Sequence, residues 1–305
     1  MIQTFQIRDD INDAIQRGKP VVTLESTIIS FGLPHPQNLE VARECEEIVR
    51  EEGALPATVG IVDGVMKVGL SEQEIESFAT RKDIVKTNLG NISPVCASWK
   101  WGATTVSSTL FATVKAGAGV FVTGGIGGVH KGFGDHFDIS SDLTALKEFG
   151  AVVVCAGVKS LLDVPATLEH LETLGIPVVG YGTDFFPVFY IPKSAREVDR
   201  RVDTPQEAAL VFRVQKRLGL ASSVLVTAPV PAADALTREE VSRALEKAEK
   251  VLSERSDIRG RDVTPFLLRL LSDYTGGRTL KANLSLVRNN VRIGARIACS
   301  LAESS

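Results

Sequence analysis

The chain has 305 residues, 44% of them hydrophobic and 23% charged, with a formal net charge of −3. This suits one α/β domain over 1–305 with a sizeable core, and the absence of a basic patch or acidic tail argues against nucleic acid and membrane surfaces as partners. Without an apolar run of about 18 residues, and without a signal-peptide pattern over 1–18, the expectation is a cytoplasmic protein.

In chain order, short Val-rich runs bounded by Gly or Pro predict strands at 20–26, 57–64, 65–70, 119–125, 151–157, 177–183 and 223–229. Amphipathic stretches between them predict helices at 36–53, 104–117 and 163–175, each ending at a glycine. Strands alternating with helices argue for a mostly parallel sheet covered on both faces. From residue 237 onward the pattern is helical, at 237–255, 264–274 and 279–303, and reads as a helical cap on the same core. The charged stretch from Ser253 to Arg261 reads as a flexible excursion. The four cysteines, Cys45, Cys96, Cys155 and Cys299, are scattered, with no CxxC pair. They read as small buried hydrophobes rather than disulfide or zinc partners.

The densest chemistry lies in VTGGIGGVHKGFGDHFDISSDL, residues 122–143. A strand entering a glycine-rich loop at a sheet's carboxyl edge is where open α/β folds gather ligands, and its glycines can present N–H groups to an anion. The bland alternative is a flexible turn. Asp138 and Asp142 are four apart; on one helix both carboxylates would share a face, a donor set suited to Mg²⁺ or Mn²⁺. An N-cap role is the alternative. His130 and His136 are available as ligand or acid.

Glu25, in VTLEST, ends an apolar run, where a carboxyl must face a cleft or a partner. That environment suits a general acid, with a capped or salt-bridged glutamate as the alternative. Lys159 follows AVVVCAGV and Lys86 ends DIVK, so both amines sit at strand ends. A partly desolvated lysine is a nucleophile toward carbonyls, whereas most lysines extend to water. An amine, an acid and a cation site together are the parts imine chemistry needs.

These residues, with LESTIISFGLPHPQN, GALPATVGIVDG, GATTVSST, FVTGGIGGVHKG, VTPFLLRLL and GGRTLKANLSLVRNN, resemble the pseudouridine-5′-phosphate glycosidase family over nearly the whole chain. The resemblance implies an α/β/α sandwich with a mostly parallel sheet and a C-terminal helical segment. It also implies a homotrimer, bound Mn²⁺, and chemistry at the carbon–carbon glycosidic bond between ribose 5-phosphate and uracil. By the same resemblance Lys159 is the nucleophile that forms an imine with C1′, Glu25 the proton donor and Asp138 the metal ligand. Lys86, Val106, Ser140, Ser141, Asp142, His130 and Asn283 contact the substrate. An acid alone does not suffice for this bond, since carbon is a poor leaving atom; an iminium at C1′ provides an electron sink beside it.

One segment departs from the family pattern. Where the family carries a lysine followed closely by two arginines and an aspartate, this chain reads KTNLGNI at 86–92, and both tryptophans, Trp99 and Trp101, follow. Lost charge and gained aromatic surface raise the expectation of a larger, flatter leaving group. The related reaction would attach ribose 5-phosphate to an aromatic polyketide acceptor, as in alnumycin biosynthesis. A non-catalytic sugar-phosphate-binding protein is the third alternative.

Overall fold

The computed structural model describes residues 3–255, 257–258 and 263–303. The excursion expected at Ser253–Arg261 lies partly outside these, as do the side chains of Asp135, His136, Thr264 and Pro265. The strands are β1 (Phe5–Ile7), β2 (Val21–Leu24), β3 (Leu55–Val62), β4 (Val65–Val68), β5 (Val85–Thr87), β6 (Gly102–Thr104), β7 (Val120–Val122), β8 (Val129–His130), β9 (Val152–Cys155), β10 (Leu162–Asp163), β11 (Val178–Tyr181), β12 (Arg200–Val202) and β13 (Val224–Thr227). All seven strands expected from the sequence are present. The others are two- or three-residue pieces too short for a periodic signal.

One 11-stranded sheet runs β1-β4-β3-β2-β7-β9-β13-β11-β12, with β6 and then β5 branching from β3. From β3 through β2, β7, β9, β13 and β11 to β12 every neighbour is parallel, while β3 meets β4 and β6 antiparallel. The central strands β2, β7, β9 and β13 are buried along their full length, as a sheet covered on both faces requires.

Successive side chains of β2 show the two faces. The Thr23 hydroxyl lies 2.7 Å from that of Thr113 on helix α5 (Val106–Ala116). Leu24 points the other way, toward Val41 and Cys45 of α2 (Gln37–Glu51) and Val287 and Val291 of α12 (Arg278–Ala302). (Helix labels follow chain order: α1 is Asp9–Gln16, α3 Glu72–Thr80, α4 Ile92–Ala97, α6 Phe133–His136, α7 Ser141–Glu148, α8 Val164–Thr173, α9 Pro205–Arg217, α10 Arg238–Ser253 and α11 Val263–Tyr274.)

The C-terminal segment is more than a cap. Helix α12 lies directly on β7 and β9, and a Cβ on its Gly294 would meet Val122 Cγ2 at 2.2 Å. Its inward residues Leu286, Val291, Ala295 and Ile297 are all essentially buried. Each such aliphatic side chain of Val or Leu size contributes about 1.5–3 kcal/mol, so α12 forms one layer of the sandwich. Gly53, Gly117 and Gly175, expected to end helices, all take positive φ. Among the described residues no helix is long and apolar enough to cross a membrane.

Candidate active site

The carboxyl ends of β2, β7 and β9 open on a cavity of about 420 Å³. Ten of the residues singled out in the sequence line it: Glu25, Lys86, Val106, His130, Asp138, Ser140, Ser141, Asp142, Lys159 and Asn283. Their positions follow from the sheet. Glu25 is the first residue after β2, Lys86 lies within β5, and Val106 opens α5 after β6. Lys159 stands four residues beyond β9, in a loop held where its N–H donates to Ile126 O at 3.2 Å.

Glu25 is 9% exposed and, among the described residues, is neither a helix cap nor half of a salt bridge. Its two oxygens accept from the hydroxyls of Thr27 and Thr123. Neither threonine was singled out in the sequence, although Thr27 stands in LEST and Thr123 opens TGG. Lys159 is half-buried, and among the described residues its ammonium has no hydrogen-bond or ion-pair partner. An amine that lines a cavity without a partner is accessible to a ligand.

Gly124, Gly125 and Gly127 of the glycine loop line the cavity, and one of the loop's N–H groups is committed within the fold. The Gly127 N–H donates to Asp142 Oδ2 at 2.8 Å rather than to a ligand. A Cβ on Gly128 would meet Thr167 Oγ1 at 2.4 Å, and one on Gly125 would meet the Phe189 ring at 2.6 Å. These glycines are small because helices and an aromatic ring press on them.

Asp138 and Asp142 do not share a helix face. Helix α7 begins at Ser141 with Ser140 as its N-cap, so Asp142 is on the helix and Asp138 is in the loop before it. The Asp142 carboxylate is buried and fully committed: Ser107 N–H donates to Oδ1 at 3.0 Å and Gly127 N–H to Oδ2 at 2.8 Å. It ties the glycine loop to the start of α5. Asp138 is the exposed one, and its Oδ2 lies 4.0 Å from His130 Nε2. Among the described residues no group of three or more His, Cys, Asp and Glu side chains could cage a metal. One accessible carboxylate fits a hard divalent ion that keeps most of its water and takes its remaining ligands from substrate.

In one part of the cavity wall Thr105 and Val106 begin α5, Ser140 and Ser141 begin α7, and the Ser107 and Ser141 hydroxyls lie 3.0 Å apart; Lys86 of β5 also lines the cavity. Two helix N-termini, hydroxyls and an ammonium suit an anion. The apolar lining includes Ile28 and Phe31, in the π-turn Ile28–Gly32, and Val263 and Leu268 of α11. Asn283 lines the cavity with a buried Oδ1 that accepts no hydrogen bond among the described residues.

The tryptophans are elsewhere. Trp99 is largely exposed, and Trp101 donates to Asp63 Oδ1 at 2.8 Å, stacks on Phe78 and lies under the Arg81 guanidinium. Neither lines the cavity. Of the departure from the family pattern, only Asn88 and Asn91 reach it.

A buried carboxyl and a partnerless amine in one cleft, at the carboxyl edge of a doubly covered parallel sheet, define an α/β enzyme. The match to the family model described as indigoidine synthase A like protein spans residues 10–300, and the chain belongs to that family. It is 48% identical to the pseudouridine-5′-phosphate glycosidase of Caldanaerobacter subterraneus subsp. tengcongensis, over 99% of this chain and 98% of that one. It is also 48% identical to the enzyme of that name from Symbiobacterium thermophilum, over 96% of each chain. Among solved structures it superposes on the prealnumycin C-glycosynthase AlnA, in complex with ribulose 5-phosphate, with a TM-score of 0.91 at 35% identity, covering 100% and 99% of the two chains. An indigoidine synthase A-like protein from Thermotoga maritima gives a TM-score of 0.89 at 40% identity, covering 98% and 97%.

Proposed function

We propose that this enzyme cleaves pseudouridine 5′-phosphate to ribose 5-phosphate and uracil, reversibly, through an imine on Lys159. The observation that carries the reading is the partnerless Lys159 ammonium in the same cavity as the buried Glu25 carboxyl. The phosphate takes the part of the wall formed by Lys86, Val106, Ser140 and Ser141, and the base takes the apolar lining and Asn283. Glu25 protonates the ring oxygen O4′ as it leaves C1′, and the Lys159 amine, having shed its proton, bonds to C1′. The Glu25 carboxylate takes a proton from the alkylated nitrogen and passes it to the ring carbon as the freed nitrogen lone pair expels the uracil ring, leaving a C1′=N iminium. Water adds to that iminium and returns the sugar aldehyde and the free amine. Without the amine the electrons of the carbon–carbon bond have nowhere to go, which is why paired carboxylates of the usual glycosidase kind are not enough.

Mn²⁺ belongs to the reading as an ion held by Asp138. Bound there, it supplies positive charge that holds an anionic substrate. A homotrimer is likewise part of the reading, checked by the mass in solution by light scattering, and so are one domain over 1–305 and a cytoplasmic location.

Reduction with borohydride in the presence of ribose 5-phosphate is expected to leave an adduct on the intact protein that Lys159→Ala abolishes. Absence of an adduct in the unsubstituted protein would exclude the imine. A chelator is expected to lower the rate, and an unchanged rate would remove Asp138 from its role. Asn88 and Asn91, neutral where the family carries charge, favour a second reading: synthesis of a carbon–carbon bond to an aromatic polyketide acceptor, the activity for which AlnA is named. Formation of the adduct without release of uracil from pseudouridine 5′-phosphate selects it.

A further inference from the structure

We propose that Thr27 and Thr123 are positioning residues that hold Glu25 by one hydroxyl on each carboxyl oxygen, the hydroxyl on the oxygen that carries the proton reversing its hydrogen bond as Glu25 gains and loses that proton while the other keeps donating; this rests on the reading of Glu25 as the proton donor.

Glu25 is buried, and among the described residues it has no cationic partner. Its side chain is held by Thr27 Oγ1 on Oε2 and Thr123 Oγ1 on Oε1. Burying a carboxylate costs several kcal/mol unless its oxygens are satisfied, roughly 2–7 kcal/mol even for a neutral polar group. Two hydroxyl donors satisfy the ionised form. A hydroxyl also carries lone pairs, so it can rotate and accept from a protonated carboxyl. A lysine or a backbone N–H cannot do that.

This freedom is specific to these two hydroxyls. Thr23, Thr104 and Thr113, in the same part of the sheet, also bond through their hydroxyls. Those hydrogens are directed to the carbonyls of Val120, Val59 and Thr109 respectively. Thr27 Oγ1 and Thr123 Oγ1 bond to Glu25 and, among the described residues, to nothing else. Whichever of them faces the protonated oxygen can therefore turn over without breaking another bond.

Their placement is rigid. Thr123 is 3% exposed, its N–H donates to Val154 O at 3.0 Å, and Asn290 of α12 donates through Nδ2 to Thr123 O at 2.9 Å and Gly124 O at 3.2 Å. Thr27 is the residue that enters the π-turn Ile28–Gly32, a geometry that recurs at functional sites. Both are β-branched, so χ1 is restricted and only the hydroxyl hydrogen is free to move. In each turnover Glu25 gives a proton to O4′ and takes one back from water. The threonines keep the carboxyl in one orientation across both states.

The test compares Thr27→Val, Thr123→Val, Thr123→Ser and Glu25→Gln with the unsubstituted enzyme, using uracil release from pseudouridine 5′-phosphate and borohydride trapping with ribose 5-phosphate. Because a general acid supplies about 10²–10⁴ in rate, each valine variant is expected to lose about 10–100-fold in kcat. KM and the trapped adduct are expected to stay unchanged, and Thr123→Ser to recover most of kcat. Valine variants with full kcat beside an inactive Glu25→Gln would overturn the positioning role and leave the Glu25 reading standing. Loss of the adduct in the valine variants, or a serine variant no better than valine, would make the role one of packing and overturn it as well. A fully active Glu25→Gln would overturn both.

Discussion

Gly127 lies directly against Asp142. Its N–H donates to Asp142 Oδ2 at 2.8 Å, and a Cβ at this glycine would stand 2.8 Å from that same oxygen and 2.3 Å from Ser140 Oγ. Gly127→Ala therefore cannot keep both the loop and the start of α7 in place. Overpacking of this kind costs about 1–3 kcal/mol, so a lower urea midpoint is expected together with loss of activity as Ser140 and Ser141 shift. An alanine variant with the original midpoint and rate would show that the contact yields freely.

The segment after Lys86 and the tryptophans that follow it should separate in their effects. Trp101→Phe removes the bond to Asp63 well away from the cavity, so KM for the sugar phosphate is expected to stay where it was. Asn91 lines the cavity, donates to Lys86 O at 3.1 Å and accepts from Asn88 N–H at 2.8 Å. Asn91→Asp loses the donor and adds negative charge facing an anionic ligand, and KM is expected to rise by about tenfold, the equivalent of roughly 1.4 kcal/mol. Steady-state rates for the two variants check this, and a larger effect from the tryptophan would reverse the assignment.

Burial pushes the thiols of Cys45 and Cys155 up to about 12. The thiolate is the reactive form, so at pH 8 both remain protonated as well as enclosed. Brief treatment of the native protein with iodoacetamide is expected to leave both unmodified, while treatment in urea modifies them. Peptide mass mapping reads the outcome, and rapid native labelling of Cys155 would contradict its place in the sheet.

Glu74 gives an acid limit to stability. Burial raises its pKa, but the hydrogen bonds and charge of Lys67 together with the Ser71 capping bonds outweigh that and hold it below the usual 4.5. As the pH falls, the unfolded chain takes up this proton before the folded one does. The contribution of Glu74 is thus complete above the unfolded value and is lost as pH drops through the lower folded value. Glu74→Gln is expected to flatten the decline in thermal midpoint below about pH 4.5 while lowering the plateau near neutrality. A parallel decline in both proteins would assign the acid limit to other groups.

The central sheet was legible in the sequence because strands buried on both faces read as continuous Val runs, as VVTL, VVVC and VLVT do. Short edge pieces such as Gly102–Thr104 have no such run and take their register from neighbours. The family resemblance and the strand ends pointed to ten candidate residues that the structure gathers around one cavity. The finer assignments failed where spacing stood in for geometry. A separation of four between Asp138 and Asp142 implies a shared face only if one helix holds both, and the Ser140 cap falls between them. The tryptophans were near the lysine in sequence, but Trp99 faces outward and Trp101, just before β6, packs against Asp63 and Phe78. Thr27 and Thr123 carried no pattern of their own, since a hydroxyl's partner is set by where two strands end.

The position of α12 also governs the order in which the molecule can be completed. The helix that covers Val122 and Val154 and contributes Asn283 to the cavity follows every strand in the chain. A ribosome releases the sheet before it releases that cover, leaving a bare apolar surface on the nascent polypeptide for as long as the remaining residues take to emerge. The cavity is therefore complete only once this helix has emerged, and a chain cut before Arg278 should be a client of holding chaperones rather than a weaker enzyme.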